Sequence, residues 1–93
     1  MARPERYKVA LSPAAHRDLR KLPASTRSQI VALVARLADE PRPKGCRKIQ
    51  GDATAFRIRL GHHRVIYDVL DKERRVEVLR VLRRTETTYR RLP

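Results

Sequence analysis

The chain has 93 residues, with 23 Lys and Arg against 10 Asp and Glu, for a formal net charge of +13. This length gives one domain with one modest core and leaves no room for an active-site cleft between domains. The single cysteine, Cys46, excludes an internal disulfide and a multi-cysteine metal site, and no apolar run approaches a membrane span.

Tyr7-Lys8-Val9-Ala10-Leu11 alternates apolar with small or polar residues, the period of a half-buried strand. Ser12-Pro13 then supplies an N-cap and a first helical residue. Ala15, Leu19 and Leu22 form an apolar stripe at helical spacing, while His16, Arg17, Asp18, Arg20 and Lys21 take the wet face. Pro23 stops this helix, and Ser25 or Thr26 caps a second one. There Ile30, Leu33, Val34 and Leu37 fall at i, i+3, i+4 and i+7, and Asp39-Glu40-Pro41 ends it. Pro41 to Thr54 holds two Pro, two Gly and the cations Arg42, Lys44, Arg47 and Lys48. It reads as a basic loop with a short extended piece at Arg47-Lys48-Ile49. The period then changes to two. Phe56, Ile58 and Leu60 face one way, Arg57 and Arg59 the other. Gly61-His62 makes a tight hairpin turn into a strand over 63–70. Residues 71–74 turn again, and 75–82 form a third strand, apolar in part on both faces as a central strand is. Residues 85–91 read as a last helical turn or a frayed tail. The expectation is a single α+β domain over residues 1–93, in the order β-α-α-β-β-β. Two N-terminal helices pack on one face of a mostly antiparallel four-stranded sheet.

Of the 23 cations, 18 are Arg, whose planar fork of donors suits phosphates and stacking on bases. A small protein at this charge repels itself, and nucleic acid, an anionic membrane or an acidic protein would offset it. Helices on one sheet face leave the other open. Alternation puts Arg57 and Arg59 there, roughly 7 Å apart on one side of a strand. Arg64 sits across the hairpin from them. Arg80, Arg83 and Arg84 lie on or just beyond the third strand, and Arg47 and Lys48 in the basic loop. Such a surface suits phosphate tracking; a solvated strand face is the plain alternative. Tyr7, Phe56 and Tyr67 fit the core pattern. Tyr89 stands in a polar tail beside Arg90 and either stacks on a base or packs loosely on the sheet.

Catalytic signatures of the common kinds are absent: no P-loop, no GxSxG, no HExxH. His62 and His63 alternate sides of the chain and are poorly placed to share a metal ion, so no metal and no cofactor are expected. Cys46 reads as a passive loop thiol. Residues 1–6 are not a signal peptide, which makes the cytoplasm the expected compartment and a membrane partner unexpected.

Several segments in order resemble the RelE-type toxins of bacterial toxin–antitoxin pairs, within the RelE/ParE superfamily. They are Tyr7 to Ala15, Asp18-Leu19-Arg20-Lys21-Leu22-Pro23, Pro41 to Gly45, Lys48-Ile49-Gln50-Gly51, Phe56 to Gly61, His63 to Val69 and Val76 to Val81, with an Arg-rich tail carrying Tyr89. The resemblance covers nearly the whole chain.

It implies a compact toxin silenced by a cognate acidic antitoxin in a hetero-oligomeric complex. Members of the RelE branch enter the ribosomal A site and cut messenger RNA there, inhibiting translation without a metal. The attacking group is the ribose 2′-OH, acting on the adjacent phosphodiester to give a cyclic phosphate. By position, Arg57 and Arg59 match the family's basic pair on the first hairpin strand, Arg64 its strand arginine, and Lys48 its basic residue ahead of the Gly. Arg83 or Arg84, with Tyr89, matches the C-terminal arginine and tyrosine. Many relatives carry Gly-His-Arg where this chain has Leu82-Arg83-Arg84. The implied catalytic set is Arg57, Arg59, Arg64, Arg83, Arg84 and Tyr89. Arg47, Lys48, Arg80 and Arg90 are the implied RNA-binding residues. Two other readings stand beside this one. A ParE-type toxin has the same fold but is directed at DNA gyrase, and a non-catalytic module would bind RNA or the ribosome without cutting.

Overall fold

A computed structural model describes residues 6–83. The chain opens with β1 (Lys8–Leu11), whose residues alternate exposed and half-buried as the sequence pattern requires. Ser12 caps α1 (Pro13–Arg20): its Oγ accepts from the Ala15 N–H at 3.0 Å and donates to the Leu79 carbonyl at 2.8 Å. One hydroxyl therefore starts the helix and fastens it to a strand more than sixty residues away. The second helix, α2 (Ala24–Arg36), begins earlier than Ser25 or Thr26 would set it. Pro23 is its N-cap and no side chain caps it. The rigid φ of Pro23 suits the turn out of α1, and the Arg27 N–H reaches the Pro23 carbonyl at 2.9 Å.

Among the described residues the sheet has five strands where four were expected. The extended piece of the basic loop is a strand in its own right, β2 (Arg47–Lys48), antiparallel to β3 (Ala55–Leu60). With β4 (His63–Leu70) and β5 (Arg75–Arg83) the order is β1-β5-β4-β3-β2. β1 joins β5 in parallel, and all other pairs are antiparallel. Gly61 at φ 61° supplies the positive φ that a two-residue hairpin turn needs.

The core lies between the helices and one face of the sheet. Ala15, Leu19, Ile30, Leu33, Val34 and Leu37 meet Ile58, Val65, Tyr67, Val69, Val76, Val78 and Val81. β4 and β5 lie inside the sheet, which explains apolar residues on both of their faces. A bulge between Ile66 and Tyr67 shifts the β4–β5 register, so that Val65 pairs Val81 while Tyr67 pairs Val78. Tyr67 is fully buried, and its hydroxyl donates to the Pro41 carbonyl at 2.8 Å. Burial pushes the Tyr67 phenol far above its ordinary range. No helix among the described residues is long and apolar enough to cross a membrane.

Candidate nucleic-acid interface

The face away from the helices follows from register, and it is open only in part: Arg47 and Arg59 are exposed, whereas Ile66, Asp68 and Leu82, on the same face in β4 and β5, are buried. Cross-strand neighbours share a face, and the helix-side face is taken by Ile58, Val65 and Val81. The opposite face therefore carries two rows. One runs Arg47, Arg57, Ile66, Arg80; the other runs Arg59, Arg64, Leu82. Arg57, Arg59 and Arg64 come together as expected, and Arg47 joins them through β2. Directly paired positions lie about 4.5–5.5 Å apart at Cβ, so Arg47 against Arg57 and Arg59 against Arg64 are like-charge pairs that cost stability. The two pairs concentrate positive charge on one face.

Two cavities open on this face and share Arg57. One of about 350 Å³ is lined by Gly45, Arg47, Arg57 and Arg59. The other, about 340 Å³, is lined by Lys48, Ile49, Gln50, Arg57, Arg64, Ile66 and Leu82. Lys48 lines this second cavity, although its register partner is Phe56, on the core-facing side of β3.

The remaining expected residues are placed differently. Arg80 is engaged by α1: its Nε and a terminal nitrogen reach the Asp18 carboxylate at 2.8 and 3.1 Å. The Val81 N–H reaches the same carboxylate at 2.8 Å. α1 covers the edge of β5 past the end of β1, and Asp18 satisfies the strand amide exposed there. Burial pushes the Asp18 carboxyl up, but the hydrogen bonds from Arg80 and Val81 outweigh it, so the group stays charged below the usual carboxylate range. Arg83 pairs with His63 and lines a groove at the helix side with Asp18, Lys21, Leu22, Pro23 and Thr26. It is not in either cavity of the open face. Arg84, Tyr89 and Arg90 lie outside the described residues.

What holds the basic loop was not legible from the sequence. Arg42 grips Asp71 with two nitrogens, at 3.2 and 2.7 Å, and the Tyr7 hydroxyl donates to the same carboxylate. The Arg42 guanidinium also lies 5.3 Å from the Phe56 ring centre, and that ring stacks on Tyr67 at 6.0 Å. Bonds from Arg42 and Tyr7 hold the Asp71 carboxyl down at about 2. At the far end of the loop, Asp52 Oδ1 accepts from the Thr54 and Ala55 N–H groups, both at 3.0 Å. Thr54 Oγ1 donates to buried Asp68 at 2.9 Å. Asp52-Ala53-Thr54 is an Asx-turn signal that local chemistry could have supplied. The Arg42–Asp71 pair spans 29 positions and leaves no local trace.

Known proteins place the chain. A relative from Methanocaldococcus jannaschii named as toxin RelE1 is 28% identical over 88 residues, 91% of this chain and 97% of that one. The toxin–antitoxin complex RelBE2 of Mycobacterium tuberculosis superposes with a TM-score of 0.77 at 28% identity, covering 92% of this chain and 100% of the matched chain. The archaeal RelE–RelB complex of Pyrococcus horikoshii gives the same TM-score, 0.77, at 27% identity over 87% of this chain and 98% of that one. The family model for the ParE toxin of the type II toxin–antitoxin system parDE matches residues 9–88. With that model spanning most of its length, the chain belongs to the RelE/ParE superfamily and is a toxin of a type II toxin–antitoxin system.

Proposed function

We propose that this toxin is a ribosome-dependent endoribonuclease that cuts messenger RNA in the A site and arrests translation. The observation that carries the proposal is the convergence of Arg57, Arg59 and Arg64 on the open sheet face, with Arg47 and Lys48 beside them. RNA brings its own nucleophile. The 2′-oxygen attacks the adjacent phosphorus, the bond to the 5′-oxygen breaks, and that oxygen leaves with a proton. The protein's task is then to align the strand and stabilise charge on the phosphorane-like transition state. Fixed guanidiniums do this without a metal, and each such donor contributes roughly 100-fold or more in rate. Arginine stays protonated and is a poor base. Arg64 is the leading phosphate clamp, with Arg57 and Arg59 beside it. Because Arg83 lines the helix-side groove, Arg84 is our choice for the C-terminal arginine, with Tyr89 stacking at the cut site and Arg90 on the strand.

The partner we assign is an acidic antitoxin, and the compartment is the cytoplasm, where ribosomes and message are. Support for the partner comes from the two solved relatives above, which are complexes of toxin with antitoxin. A second reading, inhibition of DNA gyrase, is favoured by the ParE name of the matching family model. Primer extension on message after induction separates the two. Cuts that depend on ribosome occupancy are expected. Growth arrest with intact message and blocked supercoiling would favour gyrase. Message bound but uncut would point to a non-catalytic module.

A further inference from the structure

We propose that the cavity between Arg57 and Leu82 is a nucleobase subsite, in which Gln50 reads the edge of one unpaired RNA base. The proposal rests on the reading that the open sheet face takes RNA. The two cavities that meet at Arg57 differ in chemistry. The first offers three guanidiniums and a glycine, and suits a phosphate. The second has an apolar floor under a charged rim. Its apolar surface comes mainly from half-buried Ile49, with only the edges of Ile66 and Leu82 showing, 2% and 6% exposed, and neither of those two belongs to the helix-side core. A phosphate gains nothing from apolar walls, since leaving water for them is costly. A base has a π-face to lay against Ile49 and a polar edge to offer the rim. The volume, about 340 Å³, lies at the small end of the roughly 300–1,000 Å³ of small-molecule sites.

Among the described residues, Gln50 is the one neutral polar side chain in the lining. Its amide presents an acceptor and two donors in one plane, and Gln pairs with base edges in that bidentate way. Its backbone is held in a turn. Ile49 to Asp52 form a turn closed by the Asp52 N–H on the Ile49 carbonyl at 3.2 Å, with Gly51 at φ 83° in the position that requires a positive φ. The Ile49 N–H bonds the Ala55 carbonyl at 2.9 Å, which ties this turn to the start of β3. Gln50 thus sits at a braced corner over the cavity. Arg57 lines both cavities and so sets the distance from phosphate to base.

The test is an NMR titration of the full chain with short single-stranded RNAs. These carry 2′-O-methyl groups, so they cannot be cut. They differ at one central position, which holds each of the four bases or an abasic ribose. The abasic oligomer should bind about 5- to 100-fold more weakly than the best base, the range that base stacking supplies. The Ile49 and Ile66 methyls and the Gln50 amide should shift only with a base present. Gln50→Leu keeps the apolar floor and should reduce discrimination among bases to about twofold or less, with the salt dependence of binding unchanged. Equal affinity for abasic and intact oligomers overturns the subsite, as does no binding of either or undiminished discrimination in Gln50→Leu. Base discrimination by a protein that cuts no message would defeat the nuclease reading and leave the subsite standing. Ribosome-dependent cuts without base discrimination in the titration would do the reverse.

Discussion

At Arg59 and Arg64 two positive charges face each other across the hairpin, and the stability each gives up is legible in a mutant. Like charges directly opposite cost roughly 0.2–1 kcal/mol, so Arg59→Thr should leave the melting temperature unchanged or raise it. The same substitution should lower message cleavage by about 100-fold, as should Arg57→Ala and Arg64→Ala, because each removes a fixed donor. Arg17→Ala, on the exposed face of α1, should be close to neutral in both assays. Equal losses at Arg17 and Arg64 would mean a diffuse field and no defined site. Asp18 makes the opposite prediction. It holds Arg80 and the Val81 amide, and Asp18→Asn should destabilise by about 1–2 kcal/mol at pH 7, discounted because Arg80 is 38% exposed. The folded Asp18 binds its proton more weakly than the ordinary 3.8, so its contribution is full above that value and is lost as pH falls through the lower folded one. Urea midpoints at pH 7, 4 and 2.5 should therefore show the wild type and Asp18→Asn converging in acid. A gap that stays constant would mean that Asp18 acts through packing alone.

The basic loop is the element on which the open face depends most, because it brings Arg47, Lys48 and Gln50 to β3. One end is held by Arg42 against Asp71, Tyr7 and Phe56, the other by Asp52 and Thr54. Arg42→Ala should free residues 43–51, β2 included, while leaving β1, β3, β4 and β5 paired. Amide exchange there should quicken by about tenfold or more, with the β4 and β5 amides unchanged. Cleavage should fall less than for Arg64→Ala, since the loop still visits its place. The lowered pKa of Asp71, about 2, puts a window on the same clamp: it holds above 3.8 and releases as pH drops toward 2, visible as loop exchange that quickens before global unfolding. These contacts also mark the boundary of what the sequence reveals. β3 and β4 were legible because Phe56, Ile58 and Leu60 alternate with Arg57 and Arg59, and burial enforces that period. β2 was only half legible, because two residues carry no period and pair through backbone alone. The start of α2 differs from the sequence expectation because Ser25 and Thr26 have the chemistry of a cap while Pro23 has the geometry. Asp18 looked like a wet helical residue, since its partners Arg80 and Val81 lie 62 and 63 positions away and no local pattern encodes such a pair.

At the scale of the whole molecule, a net charge of +13 on one small core asks for a partner that supplies both anions and apolar surface. An acidic antitoxin segment with an amphipathic pattern would do both. Its carboxylates would meet the Arg57–Arg64 face, and its apolar residues would gain burial that RNA does not offer. Such a segment would order only on binding, which would leave it open to proteolysis when free and make the silencing reversible. Salt separates the two kinds of contact. RNA bound on this face, as proposed, would release counterions, so its affinity should fall steeply between 50 and 200 mM salt, by roughly 10- to 1,000-fold if a handful of phosphates are held. Antitoxin binding should fall with a visibly smaller slope, because its apolar part is insensitive to screening. Calorimetry with a synthetic acidic antitoxin peptide at the two salt concentrations measures this, and a negative heat-capacity change should accompany the apolar burial. Arg64→Ala should flatten the salt slope of both ligands while leaving the heat-capacity change of the peptide intact. Peptide affinity that vanishes at high salt, with no heat-capacity signal, would mean that charge alone joins the pair and that silencing needs no shaped interface.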